Sequence, residues 1–377
     1  MYIKEISFKN FRNLEDSSIF PHKEINIIFG DNAQGKTNLL EGIWLFTGGH
    51  SFRGNKDTEL TKLIDGKNCK FASLNTKFYS EKRNQKATLN IENGRRNSVI
   101  NGVKKSTGSA LVGKICAVIF SPEHLKLIKE GPSMRRAFID GAICQIKPSY
   151  ATILSKYNRV IMQRNAFLKE LQFNKKFEYM LPIWDEKACE IGMKIIKKRF
   201  EYIEKIKDKV KEIYSGISAQ KEVMTIEYQP LGLKYSDYKE DEFKLKYLEL
   251  LEKSHANDIK FGATSVGIHR DDIEIYINNI KARTYASQGQ QRSAVIALKL
   301  CEAEILEEKI GETPIIILDD VMSELDNNRQ DYILNKLKGR QIFISCCSYE
   351  TVGLLKYGKM FEIKAGTIAD AIDCKNM

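Results

Sequence analysis

The stretch that decides the fold is GDNAQGKT, residues 30–37, which matches the phosphate-loop pattern G-x-x-x-x-G-K-[ST] at every fixed position. A short apolar run at residues 24–29 precedes it, and Leu39, Leu40 and Ile43 follow it at helical spacing. The order is a buried strand, a glycine-rich loop and a helix. Because the N-terminus of a helix attracts anions, this order predicts a site for nucleotide phosphates.

The loop residues predict ATP and Mg²⁺ as ligands. Lys36 is expected to reach the β- and γ-phosphates, and the Thr37 hydroxyl is expected to ligate Mg²⁺. The predicted ATP-binding residues of the loop are Gly30, Asp31, Asn32, Ala33, Gln34, Gly35, Lys36 and Thr37.

A second apolar strand, PIIIL at residues 314–318, ends in the adjacent acids Asp319 and Asp320. A phosphate-loop ATPase needs an acid there to hold Mg²⁺, and Asp319 fits that role. Asp320 would orient or deprotonate the attacking water, and we predict it to be catalytic together with Lys36. An acidic surface turn explains the segment equally well by itself, but not in combination with the phosphate loop.

A third segment, SQGQQR at residues 287–292, precedes a helical pattern. Ser287 suits an N-cap, and Gly289 permits close backbone approach. From these residues alone, an ordinary capped helix is favoured over a second anion site.

The pattern along the chain predicts an α/β fold that is discontinuous in sequence. Residues 1–130 and 262–377 are rich in strand signals and would form one head domain. Residues 131–261 are mostly helical, with amphipathic stretches at 149–171 and 185–214, and would form an inserted arm. Asn101-Gly102 predicts a hairpin turn.

Composition limits the partners and the compartment. The 377 residues carry a formal net charge of +11, which favours a polyanionic partner or, alternatively, a well-solvated lysine-rich surface. A signal peptide and an apolar run of membrane-spanning length are not visible in the sequence. The eight cysteines lack metal-site spacing and predict reduced thiols in a cytosolic protein.

Taken together, these segments resemble the ABC-type ATPase heads of chromosome-maintenance and repair proteins, and in particular the RecF family of bacterial recombination mediators. The resemblance covers essentially the whole chain. Three stretches carry it: FSPEHL at 120–125 with GPSMRRAFID at 131–140, GIHRDD at 267–272 with the segment at 287–292, and LDDVMSELD at 318–326.

The resemblance implies further roles. Ser287, Gln288, Gly289 and Gln290 would form the signature motif, which contacts the γ-phosphate bound by a second copy. Ser323 and Asp326 would belong to the D-loop at the dimer interface, and Arg12 would lie near the nucleotide.

The resemblance also implies the biology. The family dimerises on DNA with ATP, hydrolyses ATP slowly, and acts with RecO and RecR to load RecA at single-strand gaps, which supports the SOS response. We therefore expect a weak DNA-stimulated ATPase without nuclease or helicase activity, at the nucleoid in the cytoplasm and without a membrane partner.

Two positions depart from the common ABC pattern. Asp320 stands where most ABC heads have glutamate, a feature that RecF-like proteins share and that fits slow turnover. No histidine follows the strand at residues 341–344, where most ABC heads have a switch histidine. Ser345 or Ser348 could sense the γ-phosphate instead.

Basic clusters are candidates for contacts with DNA phosphates, without base readout. They are Arg95, Arg96, Lys104, Lys105, Arg135 and Arg136, with the lysines of residues 194–211. Each cluster could equally be a solvated face, the lysines could pair along their helix, and Arg135 and Arg136 could pair with acids such as Asp140. His269 is predicted to be a structural hydrogen-bond hub rather than a metal ligand.

We call an ATP-linked dimer that holds DNA a DNA clamp. Three other functions are alternatives to it. A transport ATPase is disfavoured by the helical insert, the missing switch histidine and the basic surface. A nuclease-associated head would need long heptads and a C-x-x-C motif, which the sequence lacks. A scaffold that binds DNA without hydrolysing ATP stays open.

Overall fold

The computed structural model describes residues 1–54, 56–347 and 358–373. Its strands are β1 Tyr2–Lys9, β2 Ser17–Ile19, β3 Ile25–Phe29, β4 Leu63–Ile64, β5 Lys67–Asn68, β6 Phe71–Ser80, β7 Arg83–Glu92, β8 Arg95–Ile100, β9 Val103–Lys105, β10 Ala117–Phe120, β11 Met224–Gln229, β12 Asp272–Ile277, β13 Ile280–Lys281, β14 Ile315–Leu318, β15 Ile342–Cys346, β16 Lys359–Lys364 and β17 Thr367–Asp373. Its helices are α1 Lys36–Leu45, α2 Lys126–Lys129, α3 Pro132–Ile146, α4 Ser149–Leu171, α5 Leu181–Ile217, α6 Glu240–Phe261, α7 Ala282–Tyr285, α8 Gln288–Ile310 and α9 Asn327–Lys336.

The chain divides into two compact units. We call Met1–His124 with Ile296–Met377 the head unit, and Leu125–Val295 the arm unit. The predicted boundaries lay at 130/131 and 261/262, so the arm unit is longer than expected at both ends. Its extra residues are held locally: β12 pairs with β11, and the Arg135 guanidinium donates to the Leu127 and Glu130 carbonyls.

The head unit contains a mostly parallel sheet in the order β10-β14-β15-β3-β16-β17, in which only β17 is antiparallel to its neighbour. Strands β10, β14 and β15 are buried throughout, as the continuous apolar runs in the sequence predict for a covered parallel sheet. The carboxyl ends of β3, β14 and β15 share one edge, because these strands are parallel and β15 pairs with both of the others. That edge gathers the phosphate loop, the two acids and Ser345.

The second large sheet of the head unit is antiparallel, in the order β2-β1-β6-β7-β8-β9. Its strands alternate between buried and exposed residues, as in a sheet with one covered face. The predicted turn at Asn101-Gly102 is confirmed, because both residues have positive φ and join β8 to β9.

Helix α1 shares one hydrophobic core with both sheets. Leu39, Leu40 and Ile43 are fully buried in the cluster that also contains Leu74 of the antiparallel sheet and Ile317 of the parallel sheet. Burial of this apolar face holds α1 in place, and α1 begins directly after the phosphate loop. The packed core therefore also fixes the position of the loop.

The arm unit is mainly helical and carries the small sheet β11-β12-β13. Helix α4 has the predicted bounds, and α5 extends the predicted helix at both ends. The apolar stripe of α5 that contains Ile196, Ile203 and Val210 is buried. Within the described residues, no helix is both long and apolar enough to cross a membrane.

Candidate functional site

The phosphate loop has the conformation that its glycines predict. Gly30 and Gly35 have φ values of 145° and 121°, which L side chains rarely adopt. A Cβ atom at Gly30 would lie 2.4 Å from the Ile363 carbonyl oxygen, so a side chain cannot be accommodated there. Asp31, Asn32 and Ala33 are exposed at the crest of the loop, where a ligand could meet the backbone N–H groups.

Lys36 lies beneath the loop and is 4% exposed. Its ammonium donates to the Gly30 carbonyl at 2.6 Å and to the Asp31 carbonyl at 3.0 Å. Neutral carbonyls are weak partners for a buried cation compared with an anion. The position of Lys36 therefore suits exchange of these contacts for a phosphate.

Thr37 and Asp319 meet although 282 residues separate them in sequence. The Thr37 hydroxyl donates to Asp319 Oδ1 at 3.1 Å, and the Ser345 hydroxyl donates to the same oxygen at 2.8 Å. The structure thus brings together the two side chains predicted to hold Mg²⁺, at the shared edge of β14, β15 and α1.

Asp319 is buried without a cationic partner among the ion pairs of the described residues. Burial raises the pKa of Asp319 above its ordinary value, and the hydrogen bonds from Ser345 and Thr37 oppose that rise. A hydroxyl and a carboxylate are the hard oxygen donors that Mg²⁺ prefers, so these residues fit the cation.

Asp320 is held in an unusual backbone conformation with φ of 52°. Its N–H donates to Ser345 Oγ at 2.9 Å, and its carbonyl accepts from the Ser323 hydroxyl at 3.0 Å. Non-glycine residues in the left-handed region cluster at functional sites, where the surrounding contacts hold the strain. Ser345 therefore contacts both acids, one through its donor and one through its acceptor.

Arg12 is tied to α1 through a buried acid that sequence reasoning missed. Its guanidinium donates to both Glu41 oxygens, at 2.8 and 3.0 Å, and Glu41 also accepts from the Ser51 hydroxyl. Asn13 was missed as well: its Oδ1 accepts from the Asn38 amide at 2.6 Å and lies 3.0 Å from where a Gly35 Cβ would be. The available signal for Asn13 was its position directly after Arg12, which the resemblance places near the nucleotide.

The predicted D-loop residues lie just after β14. The Ser323 side chain is exposed, and Asp326 caps α9 by accepting from the Arg329 N–H at 3.0 Å. Ser348, the alternative candidate for sensing the γ-phosphate, falls outside the described residues.

The predicted signature segment starts α8 with a reciprocal cap. The Gln290 N–H donates to Ser287 Oγ at 3.2 Å, and the Ser287 N–H donates to Gln290 Oε1 at 2.8 Å. Ser287 and Gln288 are exposed, and no atom lies within 4 Å of a Cβ built on Gly289. The segment is therefore accessible to another molecule.

Two of the predicted DNA contacts are engaged inside the protein. Arg135 is 5% exposed and donates to both Asp272 oxygens at 2.7 and 2.9 Å. Arg96 donates to Asp57 at 2.9 Å and to the Gly49 carbonyl at 2.7 Å. Because both guanidinium groups are largely buried and already paired with a partly buried carboxylate, neither residue suits contact with a DNA phosphate.

The other basic candidates differ in exposure. Arg95, Lys104 and Lys105 are exposed, whereas Arg136 is half-buried and donates to the Asp271 carbonyl at 2.6 Å. Asp140 pairs with Arg199, not with the arginines predicted to bind it. In α5 the predicted helical pairing is present, in the ion pairs Lys194–Glu190, Lys198–Glu201 and Lys207–Glu204.

His269 makes the structural contacts expected of it. Burial lowers the pKa of His269, which favours the neutral ring. Its Nε2 lies 3.0 Å from the Thr264 carbonyl and its Nδ1 lies 3.1 Å from the Tyr157 hydroxyl. A ring that donates to the carbonyl and accepts from the hydroxyl satisfies both nitrogens within the arm unit.

Comparison with known proteins agrees with this geometry. Residues 2–364 match the family model described as the RecF/RecN/SMC N terminal domain. A DNA replication and repair protein RecF from Acetivibrio thermocellus is 40% identical over 365 residues, covering 97% of this chain and 98% of its own. The RecF of Caldanaerobacter subterraneus subsp. tengcongensis is 44% identical over 355 residues, covering 93% and 96%.

Solved structures extend the agreement to the fold. A structure of the recombination mediator protein RecF with ATPrS, in the RecFOR pathway, superposes with a TM-score of 0.90 at 40% identity and covers 98% of each chain. The Smc head domain of Pyrococcus furiosus superposes with a TM-score of 0.56 at 16% identity, covering 99% of this chain and 96% of its own, and supports the fold alone.

These matches confirm both the predicted resemblance and the predicted ABC-type fold. They cover the phosphate loop, the carboxylate strand and the arm in one alignment. The chain therefore belongs to the RecF family of DNA replication and repair proteins, within the wider group of RecF, RecN and SMC ATPase heads.

Proposed function

We propose that this protein is an ATP-dependent DNA-binding protein of recombinational repair and replication-fork maintenance. Two copies dimerise on DNA when they bind ATP with Mg²⁺, and slow hydrolysis releases them. In the cytoplasm, at the nucleoid, the dimer helps RecO and RecR to load RecA at single-strand gaps and so supports the SOS response. The relatives named for DNA replication and repair, and the RecF structures with nucleotide, support this proposal.

The observation that carries the proposal is the convergence of Lys36, Thr37 and Asp319 at one edge of the parallel sheet. Thr37 and Asp319 would hold Mg²⁺, which neutralises charge on the phosphates when bound. The Lys36 ammonium leaves the Gly30 and Asp31 carbonyls and binds the β- and γ-phosphates. Helix α1 adds its N-terminal N–H groups.

Asp320 and Ser345 position the chemistry of hydrolysis. The Asp320 carboxylate orients the attacking water, while the contact of its N–H with Ser345 fixes the strained backbone. An aspartate is one methylene shorter than the glutamate of most ABC heads, which supports slow turnover and a long-lived ATP state.

Dimerisation is supported by the exposure of the signature segment. Ser287 and Gln288 are accessible at the start of α8, as required for contact with the γ-phosphate bound to a second copy. ATP then acts as a reversible link between two heads rather than as a source of mechanical work.

The test compares two substitutions in the full chain by size-exclusion chromatography with saturating ATP and Mg²⁺. Asp320→Asn keeps the phosphate loop intact, so it should bind ATP and accumulate as a dimer. Lys36→Ala should stay monomeric, because loss of a charged partner costs about 2–5 kcal/mol of binding. ATP affinity is measured in parallel by calorimetry.

An Asp320→Asn protein that binds ATP but remains monomeric would contradict the clamp. Single-turnover ATP hydrolysis, with and without duplex DNA, separates a slow ATPase from a scaffold that never hydrolyses. The proposal requires slow, DNA-stimulated release of phosphate by the unmodified protein and none by Asp320→Asn.

A further inference from the structure

The outer face of the antiparallel sheet of the head unit carries a depression whose volume is about 660 Å³. Seven of its nine lining residues carry a positive charge or a side-chain amide, namely Lys4, Lys77, Arg83, Lys86, Asn84, Gln85 and Asn101, and the other two are Phe78 and Gly102. We call it the lysine depression. It belongs to a different sheet from the phosphate loop, and its basic residues were not among the predicted DNA contacts.

The strand register places like charges directly opposite each other in the lysine depression. Lys77 of β6 is the cross-strand partner of Lys86 of β7, and both are exposed. Like charges in this position destabilise a sheet. A bound anion would remove the repulsion between Lys77 and Lys86, so such a destabilising pair is expected at an anion-binding site.

A β-bulge contributes the third lysine. The register of β1 against β6 shifts between Ile3 and Glu5, so that Lys4 is the extra residue. Bulges re-aim side chains next to functional sites. The Lys4 ammonium lies 5.8 Å and 5.6 Å from the ring centroids of Tyr2 and Tyr79 and donates to Asn84 Oδ1 at 2.7 Å.

Acidic side chains only partly offset this charge. Lys77 pairs with Glu5 at 2.6 Å and Arg83 pairs with Glu81 at 2.8 Å. Both pairs are solvent-exposed on at least one side, and such pairs contribute little to stability in water. Four cations against two carboxylates leave a net positive depression, with Lys86 outside the ion pairs of the described residues.

Neutral hydrogen-bonding groups continue the face along the same two strands. The Thr88 hydroxyl donates to Asn75 Oδ1 at 2.7 Å, and the Ser73 hydroxyl donates to Asn90 Oδ1 at 2.8 Å. Lysines at one end and amides with hydroxyls beyond them match a chain of phosphates, since sequence-independent contacts to phosphodiesters come from these side chains.

We propose that the lysine depression is a binding site for phosphates of a nucleic-acid backbone, with Lys4, Lys77 and Lys86 as the contacting cations. The choice of DNA as the ligand rests on the proposed function, whereas the phosphate chemistry rests on the site itself. Contacts of this kind position DNA and carry no base specificity.

The test uses the full chain with Lys4, Lys77 and Lys86 replaced together by glutamine. Affinity for duplex DNA is measured over a range of salt concentrations with saturating ATP and Mg²⁺. Each lost phosphate contact lowers the salt slope by about 0.9, so the triple variant should lose about 2.7 from the slope. We also expect its affinity to fall by at least about tenfold at low salt.

Two variants serve as controls. Replacing the exposed Lys23, Lys67 and Lys70 by glutamine removes the same charge from other parts of the head unit and should leave the slope nearly unchanged. Replacing Lys4, Lys77 and Lys86 by arginine keeps the charge and should retain DNA binding. Equal losses in the glutamine and control triples would overturn the inference.

Thermal unfolding separates a binding site from a structural role. In the glutamine triple, relief of the Lys77–Lys86 repulsion is opposed by loss of the exposed Lys77–Glu5 pair and of the Lys4–Asn84 hydrogen bond, so its melting temperature should stay close to that of the parent. If DNA binding is lost together with a large fall in melting temperature, the lysines support the fold and the inference is wrong.

A second probe, inorganic polyphosphate in the presence of saturating ATP, distinguishes failure of the site from failure of the proposed function. Binding of polyphosphate but not DNA by the unmodified protein, lost in the glutamine triple, would support the phosphate site and contradict the proposed DNA binding. Binding of neither probe, or of both equally by the glutamine triple, would contradict the site.

Discussion

Asp319 in the head unit and Asp271 in the arm unit are both buried, and burial raises the pKa of each. Their partners differ. Asp271 accepts from the Tyr228 hydroxyl at 2.5 Å and the Leu231 N–H at 2.9 Å, and it pairs with Arg199 at 3.3 Å. Asp319 accepts only from the Thr37 and Ser345 hydroxyls among the contacts described above.

The difference identifies which buried acid is open to a ligand. Arg199 satisfies Asp271 and also donates to both oxygens of Asp140, so the arm unit contains its own counter-charge. Asp319 has neutral hydrogen-bond donors, lies beside the phosphate loop and has no ion pair among those of the described residues, although the charge of Arg53 acts to lower its pKa. A buried carboxylate without a direct ion pair is a better candidate for a metal ligand than a fully paired one.

The largest expected effect on stability comes from removing Arg199, the cation that pairs with Asp271 in the arm unit. Arg199→Ala leaves the buried Asp271 and the partly buried Asp140 without their cation, and removal of one partner from a buried pair costs about 3–5 kcal/mol. We expect the free energy of unfolding to fall by about that amount, as measured by urea denaturation followed by circular dichroism.

The neighbouring Lys198 provides the control for this prediction. Its ion pair with Glu201 is on the surface of α5, and the expected cost of Lys198→Gln is within about 1 kcal/mol. If Arg199→Ala unfolds at the same urea concentration as Lys198→Gln, the arm network does not hold the fold as proposed.

Local elements such as strands, loops and helices could be predicted from the sequence better than the contacts between residues that are distant in sequence. The phosphate loop, the strand before Asp319 and the bounds of α4 follow from local patterns that the structure confirms. Such patterns report on neighbours in sequence, since a strand or a helix is specified by its own periodicity.

Partners that are distant in sequence could not be predicted in the same way. Arg135 resembled a surface cation because Asp272, its partner, is 137 residues away. Lys77 and Lys86 face each other only through the register of a hairpin whose turn residues, Glu81 and Lys82, are not typical turn formers. Residue type alone could not distinguish cations that are paired inside the protein from cations that are free to contact a ligand.

An intermediate effect, on Mg²⁺ affinity, is expected from substitution of Ser345, which hydrogen-bonds to both Asp319 and Asp320. Ser345→Ala removes the donor to Asp319 and the acceptor for the Asp320 N–H. Loss of a residue that orients a metal ligand typically weakens metal affinity about 10- to 100-fold. We expect a loss in that range for Mg²⁺ in the presence of ATP, measured by titration calorimetry, with little change in ATP binding without Mg²⁺.

Ser98→Ala is the matched control, because Ser98 is also a buried serine of the head unit and donates to the Thr107 carbonyl at 2.9 Å. Its loss should alter stability but not the affinity for Mg²⁺. Equal losses of Mg²⁺ affinity in both variants would mean that Ser345 acts through the fold alone and does not position Asp319.

The smallest expected effect is a gain in stability. Since the folded-state pKa of Asp319 is raised, the protein without Mg²⁺ loses stability as pH rises from the unfolded-state pKa, about 3.9, through the folded-state pKa. Asp319→Asn removes that loss while its carbonyl can still accept from Thr37 and Ser345. The variant should therefore be slightly more stable than the parent near neutral pH, and the gain should vanish at low pH.

Asp271→Asn makes the same substitution in the arm unit, where Asp271 is paired with Arg199. At neutral pH this variant is expected to be less stable than the parent, the opposite of Asp319→Asn. Burial raises the pKa of Asp271 even with Arg199 beside it, but both carboxylate oxygens accept hydrogen bonds, one from the Leu231 N–H and the other from Tyr228 and Arg199. The amide NH₂ of asparagine would therefore face a donor, and this buried mismatch outweighs the pH-dependent gain. Free energies of unfolding for both variants, measured against pH with and without Mg²⁺, decide the comparison. Addition of Mg²⁺ with ATP should reverse the order for Asp319→Asn, because only the parent carboxylate binds the cation, and should leave Asp271→Asn below its parent in both conditions.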